Sequence, residues 1–251
     1  MKKLIYLILI FLILPVLVAC NRIPNEVNSP DDVAGRVIGA LEGTPSLRLA
    51  DELGTAVSFA SANDMMAELR AGNIACAIME RTTALDLVSN TSGVRILFEP
   101  LVEYELRFAV PLENRGLLRE VNLALEELSR NGTLRGLTNR YFSRGNFIYS
   151  SPDDIERSGK LFIALPPDSP PFSFKGADGY FTGMDVDVAV AVSDILGVEL
   201  EAVEYDAWDL VTAVWHGRAD LALGWHPGEG EGLVNKSEPY ATAVHVIIVR
   251  R

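Results

Sequence analysis

Ser151-Pro152-Asp153-Asp154-Ile155, running into Gly159-Lys160-Leu161-Phe162-Ile163-Ala164-Leu165, repeats a pattern the chain has already used at Ser29-Pro30-Asp31-Asp32-Val33 and Gly35-Arg36-Val37-Ile38-Gly39-Ala40-Leu41. In each copy a Ser-Pro pair opens a capped acidic turn, and a glycine leads into an apolar run of strand length. The echo continues downstream. Ala62 to Ala71 has helical spacing and stops at Gly72 before the apolar run Ile74 to Met79; Ala207 to His216 stops at Gly217 before Asp220 to Trp225. A glycine just past the last helical residue is the usual helix stop.

Strand, helix, strand, helix, strand thus occurs twice. Such alternation predicts an α/β protein of two lobes, each a parallel sheet covered on both faces, with ligand held in a cleft at the carboxyl ends of the strands. Between the two units, Tyr104 to Val110 reads as a strand, and Gly116 to Arg130 and Thr133 to Phe142 as amphipathic helices parted by Asn131-Gly132. Asp185 to Leu196 is a further helix closed by Gly197, and Ala243 to Val249 a final strand. The expected division is a leader at 1–19, a tether at 20–30, one lobe at 31–100, a crossover strand and closing helices at 101–142, a linker at 143–158 and the other lobe at 159–251.

The amino terminus sets the destination. Lys2 and Lys3 precede an uncharged run from Leu4 to Ala19, about 24 Å if helical, short of the roughly 30 Å hydrocarbon core. A cleaved leader fits better than a permanent span. Leu17-Val18-Ala19-Cys20 resembles a bacterial lipobox, which implies cleavage before Cys20 and its lipidation; the alternative is an ordinary signal peptide that leaves Cys20 free. Either way the mature chain lies outside the cytoplasm. Asn21 to Pro30 is polar and without apolar period, so folded structure is expected from about Asp31.

Over 251 residues there are 34 acidic and 22 basic side chains, a formal charge of −12. Losing residues 1–19 removes two lysines and leaves 20 against 34, or −14. That balance argues against nucleic-acid binding, which needs a basic footprint, and leaves membrane attachment to an acyl anchor. With Cys20 lipidated, Cys76 has no partner, and its place in an apolar run marks it as a buried structural thiol.

Longer motifs carry a family resemblance. Pro170-Pro171-Phe172-Ser173-Phe174, Gly179-Tyr180-Phe181-Thr182-Gly183-Met184-Asp185-Val186-Asp187, Gly217-Arg218-Ala219-Asp220-Leu221-Ala222 and Ser237-Glu238-Pro239-Tyr240 resemble, in order and spacing, the amino-terminal lobe of the solute-binding proteins of ABC importers, the branch that captures polar amino acids. Asp32 to Phe142 is similar to that family's other lobe and closing helices. The resemblance implies a periplasmic binding protein type II fold with the lobe order permuted, because the Pro-Pro-Phe lobe comes last here and first in the family. A truncated second copy would be the other explanation, but one complement of parts is present and none is duplicated. The implied partners are a small polar solute and an importer permease, with no cofactor, and the protein is expected to be a monomer.

In the family the ligand lies between the lobes under aromatic side chains. Phe172, Trp208, and Trp225 with His226 fall at strand or helix ends and form the expected lining, against ordinary core packing as the alternative. Thr44-Pro45-Ser46 reads as the opening of a helix whose N–H groups suit an anion, with a plain cap as the alternative. The resemblance places Glu80 where a carboxylate pairs with the ligand's amino group; the alternative is an exposed surface acid. Family members that bind α-amino acids usually carry Thr-x-x-Arg after the strand matching Asp220 to Gly224. This sequence has His226-Pro227-Gly228-Glu229-Gly230-Glu231-Gly232 instead, so either the ligand is not a standard amino acid or other donors hold it, with Thr44, Ser46 and His226 the candidates.

Other chemistries lack their residues. Glu229 and Glu231 would repel a pyrophosphate from the glycines around them, His216, His226 and His245 lack metal-ligand spacing, and no Gly-x-Ser-x-Gly elbow is present. Two further functions share the cleft: a sensory lipoprotein reporting ligand to a membrane partner, and a dehydratase-like enzyme with Glu80 as general acid.

Overall fold

A computed structural model of the chain describes residues 22–143, 145–224, 230 and 232–251, so Cys20 lies outside the described residues. The first half supplies β1 (Val37–Leu41), α1 (Pro45–Leu53), β2 (Thr55–Phe59), α2 (Ala62–Ala71), β3 (Cys76–Glu80), α3 (Arg81–Ser89) and β4 (Val94–Leu106). A short β5 (Ala109–Pro111), α4 (Arg115–Arg130) and α5 (Thr133–Phe142) follow. The second half begins with β6 (Lys160–Leu165), then β7 (Asp168–Ser169), β8 (Ser173–Lys175), β9 (Phe181–Thr182) and α6 (Met184–Leu196). It ends with β10 (Glu199–Glu204), α7 (Leu210–Trp215), β11 (Leu221–Ala222), β12 (Val234–Lys236) and β13 (Ala241–Arg250). Among the described residues, no helix is long and apolar enough to cross a membrane.

Two five-stranded sheets form two α/β lobes, as expected of the type II binding-protein fold. Their orders are β2-β1-β3-β13-β4 and β10-β6-β11-β5-β12. Each takes its fourth strand from the other half of the chain: β13 enters the first sheet and β5 the second. These two strands correct the expectation of purely parallel sheets. β1 runs parallel to β2 and β3, but β13 is antiparallel to both its neighbours, as β5 is to β11 and β12. The reversal follows from connectivity, because each inserted strand is the straight continuation of an edge strand of the opposite lobe and so arrives from the far end.

The crossings also break the expected strand Tyr104 to Val110 at Arg107-Phe108, where the chain changes sheets. The two crossing segments pair side by side. Tyr240 N–H donates to Leu106 C=O at 2.9 Å, Ser237 N–H to Phe108 C=O at 2.9 Å, and Phe108 N–H to Ser237 Oγ at 2.9 Å. The rings of Phe108 and Tyr240 stack with centroids 4.7 Å apart. The lobes are therefore joined by one paired hinge whose polar groups are satisfied where the sheets end.

Alternating side chains of the central strands fill both faces of the first lobe. Cys76 and Ile78 of β3, with Ile247 and Val249 of β13, pack under α1, while Ala77 and Met79, with Val246 and Ile248, pack under α2. In the second lobe Leu161, Ile163 and Leu165 of β6 meet α4, α5 and α6, and Ala164 and Ala222 meet α7.

Several local expectations shift. α2 and α5 have the expected bounds, and Gly72 and Gly197 end α2 and α6 at φ 84° and 65°. The expected helix Ala207 to His216 is reduced to Leu210–Trp215, and of the expected strand Asp220 to Trp225, Leu221–Ala222 is strand while Trp225 lies outside the described residues. Part of the expected tether is also folded. Val27 is 1% exposed in the core of the first lobe, Ile23 N–H donates to Gly72 C=O at 2.8 Å, and the Asn25 amide donates to Arg250 C=O at 3.1 Å. Ile23 packs against the same core, and Glu26 pairs with Arg36 at 2.8 Å, so apolar burial and long-range polar contacts together hold this stretch down.

Candidate functional site

The lobes meet at α1. Thr44 precedes its first turn, but the Thr44 hydroxyl donates to Leu41 C=O at 2.8 Å and makes no cap bond. Pro45 opens the helix without an N–H, Leu47 N–H donates to Thr44 C=O at 3.1 Å, and Ser46 is buried between them. Gly43 lies so close to the other lobe that a Cβ there would sit 3.2 Å from Asp168 C=O.

Two small voids lie between the lobes and share Thr44 and Pro45. The first, about 10 Å³, is bounded by Ser46, Glu80, Thr83 and His245 on one side and by Pro170 and Phe172 on the other. The second, about 20 Å³, lies between Gly43 and Arg48 of the first lobe and Ala207, Trp208 and Gly224 of the second. Each has room for about one water, so the jaw is shut, and any solute of amino acid size requires it to open. A much larger groove of about 790 Å³ runs along α4 and shares no residue with this junction.

Glu80 ends β3 and caps α3. Its Oε2 accepts from Thr82 N–H at 2.7 Å and Thr83 N–H at 3.1 Å, and the residue is 5% exposed. Burial raises its pKa and the two amide bonds oppose that rise. Glu80 is therefore no exposed surface acid, and one of its oxygens is committed to the helix. His245 of β13 lies directly opposite Glu80 in the antiparallel register and stacks on Tyr104 with ring centroids 5.3 Å apart. The sequence offered no reason to place His245 at the cleft, because its opposition to Glu80 depends on the inserted strand.

Phe172 is buried in the Pro-Pro-Phe loop, 6.0 Å from the Phe142 ring. Trp208 precedes α7 and is 58% exposed, with the Arg48 guanidinium 4.2 Å from its ring centroid. This cation–π contact crosses from one lobe to the other. Arg48, which the sequence reading does not single out, reaches the junction through this contact. The structure brings Thr44, Ser46, Glu80, Phe172 and Trp208 to one junction; Trp225 and His226 lie outside the described residues. Among the described residues no cluster of metal-ligating side chains is found.

Behind the junction, Asp185 at the start of α6 is fully buried and accepts from Tyr240 Oη at 2.8 Å. Among the described residues its second oxygen has the nearby Gly224 amide, short of a formed hydrogen bond. Burial pushes the Asp185 carboxyl up to about 7, opposed by these two donors. Beside it, burial and the Asp185 charge raise the Tyr240 phenol as well.

Residues 161–251 match the bacterial extracellular solute-binding proteins, family 3. The L-cystine-binding protein TcyJ of Escherichia coli (strain K12) is 28% identical over 122 residues, 47% of this chain and 46% of that protein. The arginine-binding extracellular protein ArtP of Bacillus subtilis (strain 168) is 34% identical over 94 residues, 37% of this chain and 36% of that protein. The chain thus spans less than half the length of the curated relatives it matches. Among solved structures, a phosphate-binding protein of a phosphate ABC transporter from Streptococcus pneumoniae aligns over 86% of this chain and 89% of its own, at 14% identity and a TM-score of 0.49.

Proposed function

We propose that this protein is an extracytoplasmic receptor that closes two lobes on a small, polar, amino acid-like solute and delivers it to the permease of an ABC importer. The family match over residues 161–251 supports the class. The observation that carries the reading is the meeting of Ser46 and Glu80 from one lobe with Phe172 from the other around one void. In this reading Phe172 and Trp208 cover the ligand, Thr44 and Ser46 lie with the α1 amides at its anionic end, Glu80 takes its cationic nitrogen, and Trp225 and His226 complete the lining. Binding without turnover is favoured over a dehydratase because Glu80 already serves as the cap of α3.

The chain reads as a circular permutation with its division at 1–19, 20–30, 31–100, 101–142, 143–158 and 159–251. Its support is the exchange of β5 and β13, by which one molecule completes both sheets from a single set of parts. Lipidated Cys20 anchors the monomer at the membrane, with the tether leaving from the Arg250 end of β13, away from the hinge.

Calorimetric titration of the purified full chain with the twenty standard amino acids, their amines and small carboxylates tests the function. Saturable binding of one solute per chain is expected, and silence across the panel overturns the reading. A sensory role is distinguished by coupling: transport requires that the loaded receptor stimulate an importer ATPase in vesicles.

A further inference from the structure

We infer that Asp185 is a positioning residue of the solute site, a buried carboxylate that ties two walls of the cleft to the hinge between the lobes. The inference rests on the receptor reading above and names what holds the second lobe's walls in place when solute binds.

Three contacts converge on Asp185, which lies in the first turn of α6 and is fully buried. Its N–H donates to the C=O of Phe172 at 3.0 Å, and Phe172 bounds the first void. Its Oδ1 accepts from Tyr240 Oη at 2.8 Å. Tyr240 belongs to the hinge, where its N–H donates to Leu106 C=O and its ring stacks on Phe108. Its Oδ2 faces the amide of Gly224, which bounds the second void, and a Cβ on Gly224 would sit 3.7 Å from that oxygen. Gly224 lies two residues past β11 at φ 69°, so an acceptor for its N–H helps to set that wall.

A carboxylate presents an acceptor to each of these donors, whereas a protonated carboxyl or an amide carries hydrogen on one of its two atoms. With Tyr240 on one oxygen and Gly224 facing the other, the ionised form serves both. Burial moves this carboxyl up to about 7, so the tie to Gly224 strengthens as pH rises through neutrality while the fold pays in stability. A charge held between hinge and cleft at that cost fits a group that serves binding more than folding. The titratable groups facing Asp185 are Tyr240 and, from β4, Tyr104. Asp187 of the same helix accepts from Tyr141 of α5 at 2.7 Å with Arg140 acting on it, and Glu80 and His245 lie beyond Tyr104 in the first lobe.

The first measurement needs no ligand: the Gly224 amide resonance of the full chain is followed by NMR from pH 5 to 9. It should move with a midpoint near 7 in the wild-type chain, stay in place in Asp185→Asn, and move with a higher midpoint in Tyr240→Phe, where the carboxylate loses a donor. The second is calorimetry on the standard amino acid panel at pH 6 and 8. The wild-type chain should tighten on the amino acid it binds by roughly 3- to 10-fold between these values. Asp185→Asn should lack that gain and bind more weakly at pH 8, although it is the more stable protein there. Titration of Glu80 and His245 acts on both proteins alike, and a merely structural role would lower stability and affinity together. A Gly224 amide that does not titrate overturns the inference, as does an Asn variant that binds as tightly as the wild type at pH 8; both leave the receptor reading standing. If Asp185→Asn fails to fold, Tyr240→Phe carries the test, because its raised midpoint should carry the affinity profile upward with it and an unmoved profile overturns the inference. A wild-type chain that binds nothing in the panel overturns the receptor reading and the inference with it.

Discussion

Replacing Asp185 by Asn tests the polar seam behind the hinge. The carboxyl is fully buried, with a pKa moved from 3.8 to about 7, mainly because burial disfavours the charged form. Between about pH 4 and 7 the folded chain therefore binds more protons at this site than the unfolded chain. The stability this group contributes is complete below its unfolded pKa and is lost as pH rises through 7. A move from 3.8 to about 7 bounds the loss at about 4 kcal/mol. Asn has nearly the same shape, accepts from Tyr240 Oη and never ionises. Urea unfolding of both proteins from pH 4 to 8 should give nearly equal stabilities at pH 4 and a lead for Asp185→Asn that widens toward pH 8. Burial also raises Glu80 and Asp187, and these tilt both curves alike, so the difference isolates Asp185. A difference that stays flat with pH, or an Asn variant less stable at pH 8, would refute the argument.

Three other perturbations have defined outcomes. At Gly183, φ is 128° and a Cβ would lie 2.2 Å from Phe172 C=O, so Gly183→Ala should cost about 1–3 kcal/mol in urea unfolding and weaken any solute binding by displacing the Pro-Pro-Phe loop. Deleting residues 241–251 removes β13 from between β3 and β4, and the truncated chain should lose cooperative thermal unfolding; a sharp transition near that of the full chain would contradict the strand exchange. Cys76 is buried, with its thiol pushed up to about 12, so iodoacetamide at pH 8 should label the Cys76 peptide in mass spectra only after denaturant is added.

Signals that act within a turn or two of helix were legible in the sequence. Ala62 to Ala71 with Gly72, Thr133 to Phe142 after Gly132, and the closure of α6 at Gly197 could be read because caps and apolar spacing involve residues no more than about four apart. The doubled β-α-β-α-β pattern carried the two-lobed class for the same reason, since each unit is built from local periodicities. Trp208 was named for its place just before a helix, and Glu80 for the carboxylate that the family resemblance implies there.

What the tertiary structure alone decided involves partners far apart along the chain. The direction of β5 and β13 depends on which sheet each strand enters, so Tyr104 to Val110 divides at Arg107 even though its residues read as one strand. The same insertion sets His245 opposite Glu80, and closure of the lobes lays Arg48 on Trp208. Even the polar stretch after the leader was placed by distant acceptors, with Ile23 on Gly72 and Asn25 on Arg250. Composition and spacing state what each segment prefers to be, whereas strand orientation and the contents of a cleft follow from which segments pack together, and that choice is settled by burial and hydrogen bonding summed over the whole fold.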